Sequence, residues 1–351
     1  MTPLEPVTDA PVLVTGASGF IASHIIAQLF ASGYRVRGTV RDPSSARHAH
    51  LRAPVGAEDR LELVTADLLE ANAFDGAVKE CEYVLHTASP YQIDVADPQR
   101  DLIDPAVNGT LSVLESCMRS RSVRKVVLTS SVAAITDRAD GHVNTEPDWN
   151  TRSSLSRNPY YFSKTLAEQT AWSFVEKEGI EFQLVVINPF YVIGPSLGPE
   201  VNTSHGFFTG FTNGSVPAIL AIEWAFVDVR DVATAHVLAM ERPGAEGRYL
   251  VAAGTRTMRQ VLDLLRSNGW GDRYKLPSIS LDRGIGIPLS KAVAAVQARG
   301  TRDYLMTHLG GSMRFDDSKV KTELGLVFRD VDQTILETMD DLERWGHLGK
   351  K

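Results

Sequence analysis

The chain has 351 residues, of which 43% are hydrophobic and 23% charged, and its formal net charge is −7. This composition is that of an ordinary globular protein, and the length allows one large α/β domain with a smaller lobe. The negative charge argues against general nucleic-acid binding. Because only Cys81 and Cys117 are present, neither a disulfide framework nor a cysteine metal site is expected, and no metal is predicted.

The hydropathy of the chain bears on its location. Residues 1–10 carry two prolines and two acids, with neither a basic end nor an apolar run, so they do not resemble a signal peptide. No apolar stretch approaches membrane-spanning length. We therefore expect a cytoplasmic protein that does not bind a membrane.

The first elements predict a phosphate-binding turn. A short apolar run, the glycine turn Thr15–Gly19 and the amphipathic stretch Phe20–Ala31 indicate a strand, a turn and a helix. Gly16 can take the backbone conformation of a tight turn, Gly19 permits close approach to a pyrophosphate, and Ala22 lets the helix lie close on the sheet. The alternative is an ordinary strand-to-helix turn without a ligand. The candidate cofactor contacts here are Gly16, Ser18, Gly19, Phe20 and Ile21.

The end of the second predicted strand, Tyr34–Val40, bears on the choice of dinucleotide. At this place an acid selects the free ribose hydroxyl of NAD, whereas an arginine accommodates the phosphate of NADP. We favour Arg41 as the phosphate contact because it comes first after the strand, and Asp42 is then a turn acid. Further donors follow at Ser44, Ser45 and Arg47. The sequence thus favours NADP over NAD.

Four more strands are predicted, alternating with helical stretches, and this order predicts a parallel sheet with helices on both faces. Ligands of such sheets lie outside the carboxyl ends of the strands. Asp67 and Leu68 are therefore expected to flank the adenine, and Thr87, Ala88 and Ser89 to run beneath the cofactor. The predicted strands are Leu61–Val64, Tyr83–His86, Val126–Leu128 and Phe182–Ile187, and the polar segment 137–158 is predicted to be a surface loop.

Three side chains suggest catalysis. Tyr160 and Lys164 lie four apart in a predicted helix, so the lysine ammonium can favour the phenolate and lower the tyrosine pKa. Ser131 follows a strand, where its hydroxyl can donate a hydrogen bond to a substrate carbonyl. His86 is interpreted as a core histidine rather than a base, and a tyrosine–lysine pair on a solvated helix face is the alternative for Tyr160 and Lys164.

Seven motifs follow one another along the chain, namely Thr15–Ala22, Asp67–Leu68, His86–Ser89, Thr129–Ser131, Tyr160–Lys164, Asn188–Pro189 and Phe226–Ala233. Together these motifs resemble the extended short-chain dehydrogenase/reductase family. Within it they are similar to the branch that holds dihydroflavonol reductase, cinnamoyl-CoA reductase and the fungal aldehyde and methylglyoxal reductases.

The resemblance implies roles for individual residues. Ser131 would orient the carbonyl, Tyr160 would donate the proton, and Lys164 would lower the tyrosine pKa and hold the nicotinamide ribose. Asn188 and Pro189 match the turn that passes the nicotinamide. The chain departs from the family at Ala22, where a glycine is commoner, and at Ala106–Thr110, where the asparagine that many members carry before Val-x-Gly-Thr is absent.

We expect an α/β fold, with a Rossmann-type doubly wound parallel sheet and a smaller C-terminal substrate lobe. The predicted division is 1–190 for the NADP-binding domain, with 225–252 returning to it, and 191–224 with 253–351 for the substrate lobe. Candidate substrate contacts are Ser89, Tyr91, Phe190, Tyr191 and Phe207.

The predicted activity is the NADPH-dependent reduction of an aldehyde or ketone by a monomer or homodimer, with a small carbonyl compound as substrate. Two alternatives stay open. One is an NAD(P)-dependent epimerase, dehydratase or hydroxysteroid-type dehydrogenase, for which tightly retained NAD would be a sign. The other is a regulator that senses NADP without turnover, although such a protein does not need a serine–tyrosine–lysine set.

Overall fold

The strands define the architecture of the protein. The computed structural model describes residues 6–54, 56–89, 95–177 and 179–349. The strands in these ranges are β1 Val12–Thr15, β2 Val36–Val40, β3 Leu61–Thr65, β4 Tyr83–His86, β5 Lys125–Thr129, β6 Asp140–Asn144, β7 Gln183–Pro189, β8 Tyr191–Ile193, β9 Ala218–Leu220, β10 Glu223–Asp228, β11 Gly247–Val251, β12 Gly254–Thr257, β13 Ile279–Leu281 and β14 Ser312–Phe315.

Helices connect most of these strands. They are α1 Phe20–Ala31, α2 Ala49–Arg52, α3 Ala57–Arg60, α4 Asp104–Ser120, α5 Pro159–Val175, α6 His205–Asn213, α7 Val229–Glu241, α8 Met258–Ser267, α9 Trp270–Arg273, α10 Gly286–Ala294, α11 Arg299–His308, α12 Ser318–Glu323 and α13 Val331–Arg344. Two 3-10 turns, Ala46–His48 and Val132–Ala134, and a π-helical turn, Gln99–Ile103, are also present. Among the helices of the described ranges, none is both long and apolar enough to cross a membrane.

Seven strands form one parallel sheet in the order β11-β7-β5-β4-β1-β2-β3. The chain builds outward from β1 to β3, and then crosses over to β4 and builds outward in the other direction. This order confirms the predicted Rossmann-type doubly wound fold. It places the topological switch point between β1 and β4, where ligands of open α/β sheets bind.

Strand β1 contributes side chains to two hydrophobic cores. Val12 and Val14 belong to the cluster that includes side chains of α1 and α7, whereas Leu13 belongs to the cluster that includes side chains of α4 and α5. Successive side chains of a strand point to opposite faces, so a strand covered on both sides is apolar throughout. All three side chains are fully buried.

A second group of elements lies beside the main sheet. Strands β8, β10 and β12 form a smaller sheet, and residues of α6, α8 and α13 share one hydrophobic cluster with β10. Strand β11, which lies between β10 and β12 in the chain, pairs instead with β7 of the main sheet. The boundaries of the two lobes stay a prediction. Strand β11 lies within the segment 225–252, which the sequence analysis assigns to the NADP-binding domain.

The segment 137–158 is exposed over much of its length, as the prediction of a surface loop requires, but it is not a loop throughout. It contains β6, which pairs in parallel with β14 near the carboxyl end of the chain. The buried carboxylate of Asp137 accepts hydrogen bonds from Ser153 Oγ at 3.2 Å, Arg157 Nε at 3.0 Å and Asn158 Nδ2 at 3.4 Å. The buried polar residues Asp137, Ser153 and Asn158 of this segment therefore bond to one another inside the protein, whereas Arg138, Asp140 and His142 are exposed.

Candidate active site

The turn after β1 is packed tightly against the loop after β4. Gly16 has φ +65°, and a Cβ atom added there would lie 3.1 Å from both Cα and Cβ of Ala88. The hydroxyl of Thr15 accepts hydrogen bonds from the Thr87 and Ala88 amides, each at 3.1 Å, and Thr87 Oγ1 donates to Thr15 O at 2.6 Å. Glycine is needed at position 16 on two grounds, since the left-handed conformation and the contact both disfavour a side chain.

The amino end of α1 has features that fit a bound phosphate. Gly19 is the N-cap residue and supplies no side-chain cap, and the first turn of the helix holds no acidic residue. Ser18 and Gly19 are exposed. The amides of a helix start that lack a capping side chain are suited to an anion, and the helix dipole favours negative charge there. The residues present therefore fit a dinucleotide pyrophosphate.

Arg41 and Asp42 differ in how they are engaged. Asp42 accepts hydrogen bonds from the amide of Ser44 at 2.9 Å and from its hydroxyl at 2.6 Å, and these bonds hold the pKa of Asp42 below its usual range. The guanidinium of Arg47 lies 3.6 Å from Glu200. Arg41 is exposed, and no hydrogen bond or ion pair within the described residues engages it. Asp42 thus acts as a turn acid, while Arg41 remains available to a ligand.

The two adenine candidates lie at the end of β3. Asp67 accepts a hydrogen bond from the Leu69 amide at 2.9 Å, and its side chain is half-buried. Leu68 packs against α4, where a Cβ atom on Gly109 would lie 3.1 Å from Leu68 Cδ2. Both positions are compatible with a contact to the adenine, and their assignment stays a prediction.

Helix α5 carries Tyr160 and Lys164 in its first two turns. Its N-cap residue, Asn158, has a left-handed backbone, and Pro159 opens the helix with the φ angle that a first turn requires. Lys164 Nζ lies 5.8 Å from the centroid of the Tyr160 ring and donates a hydrogen bond to Ser89 Oγ at 2.6 Å. The structure therefore brings Tyr160, Lys164 and Ser89 together.

The ammonium of Lys164 is buried, with the residue only 8% exposed. Burial disfavours the charged form and lowers the pKa of Lys164 to about 8. His86, at the end of β4, is also buried, and its pKa falls to about 3 because of burial and the nearby Lys164 charge. His86 is therefore neutral at pH 7, as its interpretation as a core histidine requires, and its Nδ1 hydrogen bonds with Thr15 Oγ1 at 2.8 Å.

Ser131 and Asn188 meet at the carboxyl ends of β5 and β7. Asn188 Nδ2 donates a hydrogen bond to Ser131 O at 3.2 Å, and Asn188 is fully buried. The hydroxyl of Ser131 accepts a hydrogen bond from the Ala133 amide at 3.1 Å, so it caps the following 3-10 turn and keeps its proton available to donate. Pro189, which ends β7, is also buried.

Three candidate substrate contacts have aromatic partners inside the protein. Phe190 is 7% exposed, with its ring centroid 5.1 Å from that of Phe315. Phe207 packs on Trp224, with 4.2 Å between ring centroids. Tyr191 donates its hydroxyl proton to Ser204 O at 2.9 Å. These contacts account for the positions of the three rings without a ligand, so the role of the three residues in a substrate pocket stays a prediction. Tyr91, the fourth aromatic candidate, lies outside the described residues.

A buried carboxylate that the sequence did not single out lies behind the site. Glu168 follows Lys164 by one turn of α5, and it accepts hydrogen bonds from Ser130 Oγ at 2.5 Å and from Arg248 Nε at 2.6 Å. The spacing of four residues from Lys164 placed Glu168 on the same helix face. The signal in the sequence was an acidic residue on a helix face that is otherwise directed into the protein. Nothing in the sequence identified Arg248, about eighty residues later, as the partner of Glu168.

A family model and known proteins match this chain. The model of the NAD dependent epimerase/dehydratase family matches residues 12–252. Cinnamoyl-CoA reductase CAD2 of Medicago truncatula is 44% identical over 265 residues, which are 73% of this chain and 79% of that protein. Cinnamoyl-CoA reductase 1 of Arabidopsis thaliana is 36% identical over 342 residues, which are 96% of this chain and 90% of that protein.

Solved structures match over almost the whole chain. Gre2 from Candida albicans, crystallised in complex with NADPH, has a TM-score of 0.79 and 31% identity, with coverage of 96% of this chain and 99% of that one. The yeast methylglyoxal/isovaleraldehyde reductase Gre2, also complexed with NADPH, has a TM-score of 0.78 and 30% identity, with coverage of 96% and 100%. The fold is thus shared with these reductases.

Proposed function

The chain belongs to the NAD dependent epimerase/dehydratase family, as the motif resemblance predicted, and we propose that it is an NADPH-dependent reductase of aldehydes or ketones. The observation that carries the proposal is the buried Lys164 ammonium, hydrogen bonded to Ser89 at 2.6 Å and placed beside the Tyr160 ring. A regulator that only senses the cofactor gains nothing from such a pair.

The residues proposed to hold NADP(H) follow the switch point of the sheet. The glycine turn and the start of α1 would bind the pyrophosphate, and Arg41 would bind the ribose phosphate that distinguishes NADPH from NADH. Support for NADPH comes from the free Arg41 and from the NADPH complexes of the Gre2 proteins. The full proposed set is Gly16, Ser18, Gly19, Phe20, Ile21, Arg41, Asp67, Leu68, Thr87, Ala88, Ser89, Tyr160, Lys164, Asn188 and Pro189.

The catalytic roles follow from the chemistry of three side chains. NADPH, when bound, supplies the hydride that the carbonyl carbon accepts. Ser131 donates a hydrogen bond to the carbonyl oxygen and stabilises it as negative charge develops. Tyr160 then gives its phenolic proton to that oxygen, so that the product is an alcohol. The positive charge of Lys164 stabilises the phenolate that remains.

The substrate class is proposed more broadly than that of any single relative. Two relatives are named cinnamoyl-CoA reductases, and one structural neighbour is a methylglyoxal/isovaleraldehyde reductase. These substrates share a reducible carbonyl group, and they differ in everything that surrounds it. The common feature supports reduction of a carbonyl group and leaves the natural compound to be identified by assay.

The decisive experiment follows the loss of NADPH absorbance over a panel of small aldehydes, diketones, aryl ketones, a dihydroflavonol and cinnamoyl-CoA. The Tyr160→Phe variant should lose about 10²- to 10⁴-fold in kcat, because proton transfer by a positioned side chain contributes that much. Tyr161→Phe is the matched control, since it removes a hydroxyl from the next residue of α5.

Three results would count against the proposal. Turnover that persists in Tyr160→Phe would remove Tyr160 from its role as proton donor. NADPH binding without turnover of any carbonyl compound would favour a regulator, and NAD retained through purification would favour an epimerase or dehydratase.

A further inference from the structure

Glu168 is the centre of a buried hydrogen-bond network behind the site. Its two carboxylate oxygens accept four hydrogen bonds within the described residues, and the residue is only 1% exposed. The donors are Ser130 Oγ at 2.5 Å, Arg248 Nε at 2.6 Å, Asn188 Nδ2 at 2.8 Å and Trp172 Nε1 at 3.3 Å. With four donors directed at it, the carboxylate is an acceptor held in one orientation.

The network joins the segments that carry the catalytic residues. Glu168 lies one turn after Lys164 in α5, and Ser130 directly precedes Ser131 at the end of β5. Asn188 belongs to β7, and its single amide nitrogen donates both to Glu168 and to Ser131 O, at 2.8 and 3.2 Å. One carboxylate therefore connects the helix of the proposed proton donor with the two strand ends that face it.

The same network reaches the edge of the sheet. Arg248 lies in β11, and its Nη1 donates to Glu146 O at 2.7 Å and to Asp148 O at 2.6 Å. Its guanidinium also stacks on Trp149, with Cζ 3.9 Å from the ring centroid. Through Arg248, Glu168 is tied to the segment that leads into α5.

Stability alone is a poor reason for this arrangement. The side chains of Glu168 and Arg248 are 0% and 8% exposed, so both charges have lost most of their hydration. A buried ion pair repays that loss only with excellent geometry, and apolar residues of similar volume are often as stable. What the pair provides instead is a defined position for every group that it touches.

We propose that Glu168 is a positioning residue for carbonyl reduction, which holds Ser131 and Asn188 in fixed register with Tyr160 and Lys164. This inference rests on the proposed function. Glu168 is not placed to exchange a proton with a substrate, because its oxygens are buried and directed at Ser130, Asn188, Arg248 and Trp172. Its effect on the reaction passes through the groups that it holds.

The test uses the full-length Glu168→Gln variant, which keeps the shape of the side chain and removes its charge. We expect kcat to fall by tenfold or more, while the dissociation constant of NADPH, measured by fluorescence titration, stays within about twofold, since the phosphates bind elsewhere. The primary isotope effect on kcat with deuterated NADPH should rise, because misplaced groups slow the hydride step.

A matched control separates position from stability. Asp231 is a buried carboxylate in α7, paired with Arg329 and outside the site. Both Asp231→Asn and Glu168→Gln should lower the melting temperature. Asp231→Asn, however, should leave kcat per NADPH-binding molecule and the isotope effect unchanged. The double variant Glu168→Gln with Arg248→Met removes both charges, and it should recover thermal stability but not kcat.

The outcomes distinguish this inference from the proposed function. If the wild-type protein reduces no carbonyl compound, both fall. If the wild type is active and Tyr160→Phe is not, but Glu168→Gln keeps its kcat and isotope effect within about twofold, the role of Glu168 is overturned and the reductase stands. If the double variant regains full kcat, the effect of Glu168 was one of charge burial, and the positioning role is equally overturned.

Discussion

Lys164 Nζ lies 2.6 Å from Ser89 Oγ, and this hydrogen bond joins the catalytic helix α5 to the loop after β4. The two residues are 75 positions apart in the chain, yet the bond brings together the segment proposed for proton transfer and the segment proposed to run beneath the cofactor. Ser89 thereby stabilises the ammonium form of a lysine whose burial opposes it.

The first prediction concerns pH. Burial lowers the pKa of Lys164 from its ordinary value, above 10, to about 8, so the residue is charged at pH 7 and neutral when the pH rises well above 8. We expect kcat/KM for NADPH, which reports groups of the free enzyme, to be constant below this pKa and to fall about tenfold per unit above it.

Ser89→Ala tests the cause. Removing the acceptor withdraws a hydrogen bond that is stronger for the charged ammonium than for the neutral amine, so the pKa of Lys164 should fall further and the decline in kcat/KM should begin at a lower pH. Ser173→Ala is the control, because it removes an exposed hydroxyl from the same helix. A pH profile that is the same for Ser89→Ala and for the wild type would contradict the prediction.

The second prediction concerns Gly16→Ala. The new Cβ would have to tolerate φ +65° and a 3.1 Å approach to Ala88, so the turn must shift. We expect the dissociation constant for NADPH to rise by about tenfold or more, and the free energy of unfolding to fall by at least the ~1–2 kcal/mol of a left-handed alanine.

Gly269→Ala provides the comparison for that variant. Gly269 has φ +78°, and a Cβ atom there would meet nothing within 4 Å. Urea unfolding should show the conformational cost in both variants, whereas only Gly16→Ala should weaken NADPH binding in a fluorescence titration. Equal NADPH affinity in the two variants would show that the turn does not approach the cofactor.

The third prediction concerns cofactor choice. Arg41→Ala should raise KM for NADPH by about ten- to a hundredfold, because a charge-assisted hydrogen bond contributes ~1.5–3 kcal/mol, and leave KM for NADH nearly unchanged. Thermal stability should not change, since no hydrogen bond or ion pair within the described residues engages Arg41. Arg35→Ala removes another exposed arginine, which directly precedes β2, and it should change neither the KM for NADPH nor the KM for NADH. Equal effects on the two cofactors would assign the phosphate contact to other residues.

The local patterns of the sequence predicted the main sheet well. The predicted and observed bounds agree for α1 and β4. A strand covered on both faces leaves a short continuous apolar run, and an amphipathic helix leaves a periodic apolar pattern. The partners of polar residues leave no such signal. Asp137 looked like part of a solvated loop because its donors lie 16 to 21 positions away, and β6 pairs with β14 about 170 residues later.

The residues of the candidate site also divide into those that local spacing predicted and those whose contacts it did not predict. Tyr160, Lys164 and the glycine turn were identified because their spacing within one element carries the chemistry. The contact of Lys164 with Ser89 and that of Glu168 with Arg248 depend on which strands become neighbours in the folded sheet, which spacing along the chain does not encode.

The place of β11 at the edge of the main sheet imposes an order on biosynthesis. Every other strand of that sheet has been translated by residue 189, but β11 ends at Val251 and pairs with β7. Until Arg248 has left the ribosome, Glu168 has no cationic partner, and burying its charge is unfavourable. The Glu168 carboxylate therefore gains the cation that makes its burial favourable only after some sixty residues beyond β7 have been made.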